Sequence, residues 1–178
     1  MWTPEIYQKA IRFAAVKHRN QKVQGTLQPY IVHLSNVAME TILAGLKTPG
    51  FNFDLAITCA LLHDTLEDTR ATYHEILEDF GLPVAEGVLA LTLNKKILRE
   101  ERMKDCLKRM RQQPAEIWIV KMSDRITNLQ PPPWFWSKRK RIQYKDESLQ
   151  IYEALKEAGE FSAHRLRMKI EEYGRYLG

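Results

Sequence analysis

The chain has 178 residues, 44% hydrophobic and 28% charged, which is the size and composition of one globular domain able to bury a core without staples. Its two cysteines, Cys59 and Cys106, stand apart with no Cys-x-x-Cys pair, arguing against a disulfide framework or a cysteine-based zinc site and fitting a reducing compartment. The net charge of +5 and isoelectric point near 9.2 admit an anionic partner, while no apolar run approaches the roughly 20 residues that span a bilayer. The start, "MWTPEIYQKA", lacks the apolar stretch of a signal peptide, so the cytoplasm is the expected location and a membrane is not an expected partner.

In chain order the pattern reads as helix after helix. Thr3 as cap, Pro4 at the first helical position and the early acid Glu5 open a helix on which Ile6, Ala10, Ile11 and Ala14 recur at helical spacing. The turn-like "NQKVQGTLQPY" (20–30) follows. A second helix is expected from near Val32 to about Gly45, broken by "TPG" (48–50). Residues 53–67 read as a largely buried helix. "TYHE" (72–75) is a capping box whose helix stops at Gly81. Pro83 starts another helix, and the basic segment 97–112 forms a further amphipathic one. Pro114 opens "AEIWIVKMSDRITNL" (115–129), which "PPP" (131–133) stops. The last two helices cover about 137–158 and 162–177, the second capped by Ser162. "EIWIV" also suits a buried strand, but no second strand exists for it to pair with. With no repeat, low-complexity tract or linker, the chain reads as one all-α domain over 1–178.

"CALLHDTLEDT" (59–69) passes from apolar to densely polar within a few positions, and a desolvated carboxylate is costly unless something compensates it. Metal-capable side chains recur in apolar helical context: His33 in "PYIVHLSNVA", His63 and Asp64 in "ALLHDTLEDT", and Asp124 in "VKMSDRITNL". A lone helical histidine is usually structural. Adjacent helical residues point about 100° apart, so His63 and Asp64 reach one ion only where the helix edge lines a cleft. Two imidazoles and two carboxylates suit a borderline-to-hard divalent ion such as manganese, with zinc, iron and nickel also admitted. Glu67 follows His63 by four and Asp68 follows Asp64 by four, on one helix face. Carboxylates beside a metal but not consumed as ligands orient or deprotonate a water. Acids at a helix C-terminus oppose its dipole, a penalty that a nearby cation offsets.

The ordered set of "PYIxH…VA", "HD" followed by "ED", and "(S/A)DRxxNL" resembles the HD-domain hydrolases of alarmone metabolism. These are the hydrolase half of the bacterial Rel/SpoT proteins and the free-standing small alarmone hydrolases, including the animal member. The resemblance covers about residues 5–155. It implies a single-domain HD helical bundle, with manganese held by His33, His63, Asp64 and Asp124. It implies that Glu67 and Asp68 assist water attack at the 3′-diphosphate of ppGpp or pppGpp, releasing pyrophosphate and GDP or GTP. Asn128 matches a nucleotide-contacting asparagine, and Arg125 of the same "DRITNL" joins the substrate-binding set. "WSKRKRIQY" (136–144) resembles the animal enzyme's nucleotide-binding helix, which places Trp136, Lys140 and Tyr144 beside the nucleotide or its phosphates. Lys140 and Tyr144, one turn apart, pair a cation for phosphate with a ring for stacking. Lys95 or Lys96, after "LALTLN", stands where the family carries a phosphate-facing lysine.

The chain departs from this pattern around the base and ribose. Where the hydrolases carry an arginine–lysine pair that packs on guanine, this chain has Lys22, then Val23 and Gln24. Thr127 replaces a histidine, and "QPPPWFW" (130–136) replaces "MR(T/D)L". No synthetase half is expected.

The leading reading is a manganese-dependent pyrophosphohydrolase of (p)ppGpp, its partner a small nucleotide. One rival is an HD phosphohydrolase for an adenine alarmone, a nucleoside monophosphate or the 2′-phosphate of NADPH. Another is a non-catalytic helical module whose basic segments, 94–113 and 137–145, bind nucleic acid or an acidic protein. Nonspecific binding gives no reason to bury His63, Asp64 and Asp124, so nucleic acid is not the expected partner. The aromatic "PPPWFW" stretch offers a partner or homo-oligomer surface.

Overall fold

The computed structural model describes residues 3–178; Met1 and Trp2, which begin the segment read above for a signal peptide, lie outside them. Ten α-helices follow one another: α1 (Pro4–Lys17), α2 (Ile31–Gly45), α3 (Phe53–Leu62), α4 (Thr65–Asp68), α5 (Tyr73–Phe80), α6 (Leu82–Leu91), α7 (Arg102–Met110), α8 (Ala115–Asn128), α9 (Lys138–Leu155) and α10 (Glu160–Tyr173). Single 3₁₀ turns occupy Arg99–Glu101, Lys156–Ala158 and Gly174–Tyr176. The described residues hold no strand, only an isolated antiparallel bridge between Lys22 and Pro29, and "EIWIV" is helical within α8. No helix among them is long and apolar enough to cross a membrane.

Every residue of α3 from Leu55 to Leu62 is buried, so this helix needs apolar neighbours on all sides. It has them: α1, α2, α6 and α8 pack around it. Leu34 and Val37 from α2, Ile117, Ile119 and Val120 from α8, and Ile151 and Leu155 from α9 complete the same core. The HD segment therefore emerges from the most enclosed helix of the fold.

Several element ends differ from expectation, each with a local reason. The helix read as 53–67 breaks at His63 and Asp64 and resumes only for the single turn of α4. The His63 ring takes the Ala60 carbonyl at 2.7 Å, and the Thr65 hydroxyl takes that of Leu62 at 2.6 Å. Side chains thus occupy acceptors that the next backbone turn would have used. The break lets His63 and Asp64, adjacent in the chain, face a common point. In the basic segment, the 3₁₀ turn at Arg99–Glu101 precedes α7, and the Arg102 guanidinium straps the loop by donating to the Ile97 and Lys95 carbonyls. Helix α10 starts at Glu160 after Gly159, and Ser162 lies buried inside its first turn rather than capping it. Thr3 holds the N-cap position of α1, but its hydroxyl caps nothing. The Thr72–Glu75 capping box and the stop at Gly81, with φ of 84°, form as read.

Gly87 tests how tightly α6 supports α3. A Cβ at this position would lie 2.7 Å from Ile117 Cδ1 and 2.8 Å from Cys59 Sγ, both in the core. Alanine favours a helix interior by about 1 kcal/mol, but overpacking costs about 1–3 kcal/mol. Gly87→Ala should therefore lower the urea midpoint with an unchanged m-value; a raised midpoint would contradict this packing.

Candidate metal centre and nucleotide cleft

Three helix regions deliver four polar side chains to one place. The first turn of α2 carries His33, the break after α3 carries His63 and Asp64, and the third turn of α8 carries Asp124. Asp64 Oδ2 lies 3.0 Å from His63 Nε2 and 3.9 Å from His33 Nε2. Asp124 Oδ1 lies 3.4 Å from His33 Nε2 and 3.6 Å from His63 Nε2. The ligand-capable atoms of His33, His63 and Asp64 all fall within 4.8 Å of one another, which makes these three a candidate metal site. Asp124 stands outside that mutual triad, yet its contacts to both imidazoles place it on the same centre.

A divalent ion fits these residues. Both Nε2 atoms are buried and make no hydrogen bond despite the nearby carboxylates, so they point at a shared space rather than at a partner. The Nδ1–H of His63 donates to the Ala60 carbonyl, which leaves Nε2 with the lone pair that coordination needs. Burial disfavours a proton on His63, but Asp64 and Asp124 outweigh it and hold its pKa well above the ordinary value. The cage thus calls for positive charge at its centre.

The surrounding groups keep both acids ionised. Burial opposes the charge on Asp124, but Lys121 and the two imidazoles hold its carboxyl well below the usual carboxylate range. The Lys121 ammonium donates to Oδ2 at 3.2 Å, and the Asn128 amide donates to Oδ1 at 2.6 Å. Burial likewise opposes ionisation of Asp64, and His63 together with the donating Tyr30 hydroxyl overcomes it. Burial and the Asp64 charge push the Tyr30 phenol far up, so it remains a donor.

Glu67 and Asp68 sit on α4, beyond the helix break, so their register to His63 and Asp64 is not that of one continuous helix. Glu67 Oε2 accepts from the Leu93 amide at 2.8 Å, and burial, outweighing that bond, raises its pKa above the ordinary value. Asp68 Oδ2 accepts from Gln21 Nε2 at 3.1 Å, and Oδ1 lies 4.0 Å from Lys95 Nζ. Lys95 itself donates to the Glu67 carbonyl at 2.7 Å. Lys96 is exposed, with its backbone N–H on Asn94 Oδ1.

A cleft of about 750 Å³ reaches this centre at His33. His33, Asn36, Asn128, Trp136, Tyr144 and Tyr173 line it, as do Lys22 and Asp68. Pro131, Pro132 and Pro133 form a wall against the 20–30 loop, where Gly25, with φ of 78°, lies so close that a Cβ would come 3.0 Å from Pro133. Trp136 turns into the cleft, whereas Trp134 is 85% exposed. The Lys140 ammonium lies 4.2 Å from the centre of the Trp136 ring. Arg125 is buried behind Tyr144, its guanidinium 4.2 Å from that ring's centre, and donates to Ser148 Oγ at 3.3 Å. The fold therefore gathers Lys22, Asn128, Trp136 and Tyr144 on the cleft. It puts Lys140 and Arg125 against two of its rings and Lys95 beside α4, and leaves Lys96 exposed on the following loop.

Sequence reasoning missed Tyr30, Lys121 and Gln21. Lys121 was findable, three residues before Asp124 on one helix. Tyr30, the tyrosine of "PYIxH", and Gln21 act across the fold, over separations of 34 and 47 residues, and no local pattern discloses their partners.

The HD domain family matches residues 10–159. A guanosine-3′,5′-bis(diphosphate) 3′-pyrophosphohydrolase of Aquifex aeolicus (strain VF5) is 36% identical over 165 residues, which is 91% of this chain but 22% of that protein. The guanosine-3′,5′-bis(diphosphate) 3′-pyrophosphohydrolase MESH1 of Danio rerio is 31% identical over 174 residues, covering 93% of each chain. A solved structure described as a metazoan ortholog of SpoT that hydrolyzes ppGpp shares the fold, with a TM-score of 0.82 at 23% identity over 100% of this chain and 98% of that one. The family match contains all four converging side chains, and the chain belongs to the HD-domain family, in the group of the ppGpp 3′-pyrophosphohydrolases.

Proposed function

We propose that the chain is a metal-dependent hydrolase that adds water across the 3′-O–P bond of (p)ppGpp, releasing pyrophosphate and GDP or GTP. The names of the relatives support the substrate. One observation carries the chemistry: two buried, unpartnered imidazole nitrogens face two carboxylates at a cleft large enough for a nucleotide. In this reading residues 1–178 act as one HD-type domain.

His33, His63, Asp64 and Asp124 would hold the ion, and their mixed nitrogen and oxygen donors suit manganese, with zinc, iron and nickel as competitors. Lewis acidity that lowers the pKa of water and draws charge from a phosphoryl oxygen is what such an ion supplies when bound. The chain does the rest. Glu67, anchored by the Leu93 amide and raised in pKa by burial, takes the proton of the attacking water. Asp68 orients that water from the lining of the cleft. Tyr30 and Lys121 keep the two ligand carboxylates ionised and aimed. Trp136 and Tyr144 supply ring faces for the base, and Arg125 acts through the Tyr144 ring that it backs. Asn128 fixes the nucleotide beside Asp124. Lys22, Lys95, Lys96 and Lys140 bear phosphate charge, which they are worth most in doing where water is excluded.

Three outcomes follow. Asp64→Ala should abolish ppGpp hydrolysis and leave the purified protein short of stoichiometric metal by elemental analysis; turnover at the wild-type rate sinks the assignment. Glu67→Gln should keep its metal while turnover drops about 10²- to 10⁴-fold, the usual worth of a general base. Tyr30→Phe should weaken metal affinity about 10- to 100-fold, the scale for losing a group that orients a ligand, as read by competition with a chelator. Running ppGpp, pppGpp and their adenine counterparts in parallel, on protein stripped and refilled with manganese, zinc, iron or nickel, fixes base and metal preference. Release of orthophosphate alone from every compound would remove the pyrophosphohydrolase reading.

A further inference from the structure

The loop between α1 and α2 carries a chain of contacts of which only the Tyr30–Asp64 bond enters the mechanism. Gln21 is bonded at both ends of its side-chain amide: Nε2 donates to Asp68 Oδ2 at 3.1 Å, and Oε1 accepts from His18 Nδ1 at 2.6 Å. A carboxylate only accepts, so Asp68 fixes the orientation of the amide, and the amide fixes the hydrogen of His18 on Nδ1. His18 is 3% exposed, and its Nε2 is buried without a partner. A second hydrogen there would be a buried donor with no acceptor, so the ring stays neutral. That ring stacks on Tyr30 with centroids 4.9 Å apart and planes 25° apart. The Tyr30 amide donates to the Gln21 carbonyl at 3.0 Å, and the Tyr30 hydroxyl donates to Asp64. One loop is thereby tied to two acids, Asp64 at the helix break and Asp68 on α4 beyond it.

Asp68 is pulled two ways. Gln21 draws Oδ2 toward the cleft, which both residues line. Lys95 stands 4.0 Å from Oδ1, and its ammonium is the stronger partner for a carboxylate once nothing opposes it. The geometry points to Gln21, anchored at its other end by His18, as a positioning residue that holds the Asp68 carboxylate at the cleft face and away from Lys95. This deepens the hydrolase reading above and rests on it.

Gln21→Met keeps the length of the side chain and removes both bonds. The value of kcat for ppGpp should fall about 10- to 100-fold, the scale of a misplaced catalytic group, with metal content and KM nearly unchanged. In an Asp68→Ala background the same substitution should change kcat by less than about twofold, because the group it positions is gone. An equal loss in both backgrounds, or no loss beside native Asp68, overturns the proposal. Nitrogen NMR reads the orientation without substrate: His18 should carry its hydrogen on Nδ1 in the native chain and shift toward the Nε2–H form in Gln21→Met. A native His18 with its hydrogen on Nε2 overturns the proposal too. A native chain that turns over no ppGpp sinks the hydrolase reading itself, whereas an active chain indifferent to Gln21→Met sinks only this one.

Discussion

Everything at the centre of this fold depends on burying two imidazoles and the Asp124 carboxylate against a second, half-buried carboxylate, Asp64. Asp124 is 7% exposed, and its neighbours His33 and His63 are buried as deeply. Burying such charge is tolerated only when it is paired and hydrogen-bonded. The structure meets that condition from outside the cage: Lys121 and Asn128 satisfy Asp124, Tyr30 satisfies Asp64, and the Ala60 carbonyl satisfies one side of His63. The inner side, two imidazole nitrogens facing two acids, is left for a cation. A pair such as Lys121 and Asp124 adds little net stability, yet losing either member strands a buried charge. The packing of α8 against α2 and α3 and the readiness of the metal centre are therefore one property.

The helix break is the device that makes this arrangement available. An unbroken helix would turn His63 and Asp64 about 100° apart, one of them into the packed core. By spending side-chain donors on the Ala60 and Leu62 carbonyls, the chain stops α3 where its buried run ends and swings Asp64 onto the same centre as His63. Beyond the same break, α4 carries Glu67 onto the Leu93 amide and Asp68 into the lining of the cleft.

Much of this is legible in the sequence. The all-α class, the extents of most helices and the four metal-capable residues follow from periodicity, capping residues and the ordered motifs. The Thr72–Glu75 box and Gly81 are local chemistry, and local chemistry is what a sequence displays best. The break after Leu62 was not legible, because it rests on side chains competing with the backbone for acceptors in a run that otherwise reads as helix. The start of α10 at Glu160 was missed for a related reason: Ser162 has the chemistry of a cap but is carried into the first turn and buried. Tyr30 and Gln21 escaped because their partners, Asp64 and Asp68, lie far along the chain. Arg125 shows the reverse. Its motif marks it for the substrate, and the fold sets it behind Tyr144, where it stiffens a ring instead of meeting solvent.

The wall of three prolines carries a consequence of its own. Pro131, Pro132 and Pro133 have fixed φ angles and no backbone donor, and Gly25 seals against the last of them because it has no Cβ. A flexible wall would surrender backbone freedom each time a ligand arrived. Here that entropy is lost once, when the chain folds, and the ligand meets a surface already set in shape. Such rigidity favours one ligand outline over its neighbours, so discrimination at this end of the cleft comes from fit to a stiff contour more than from charge.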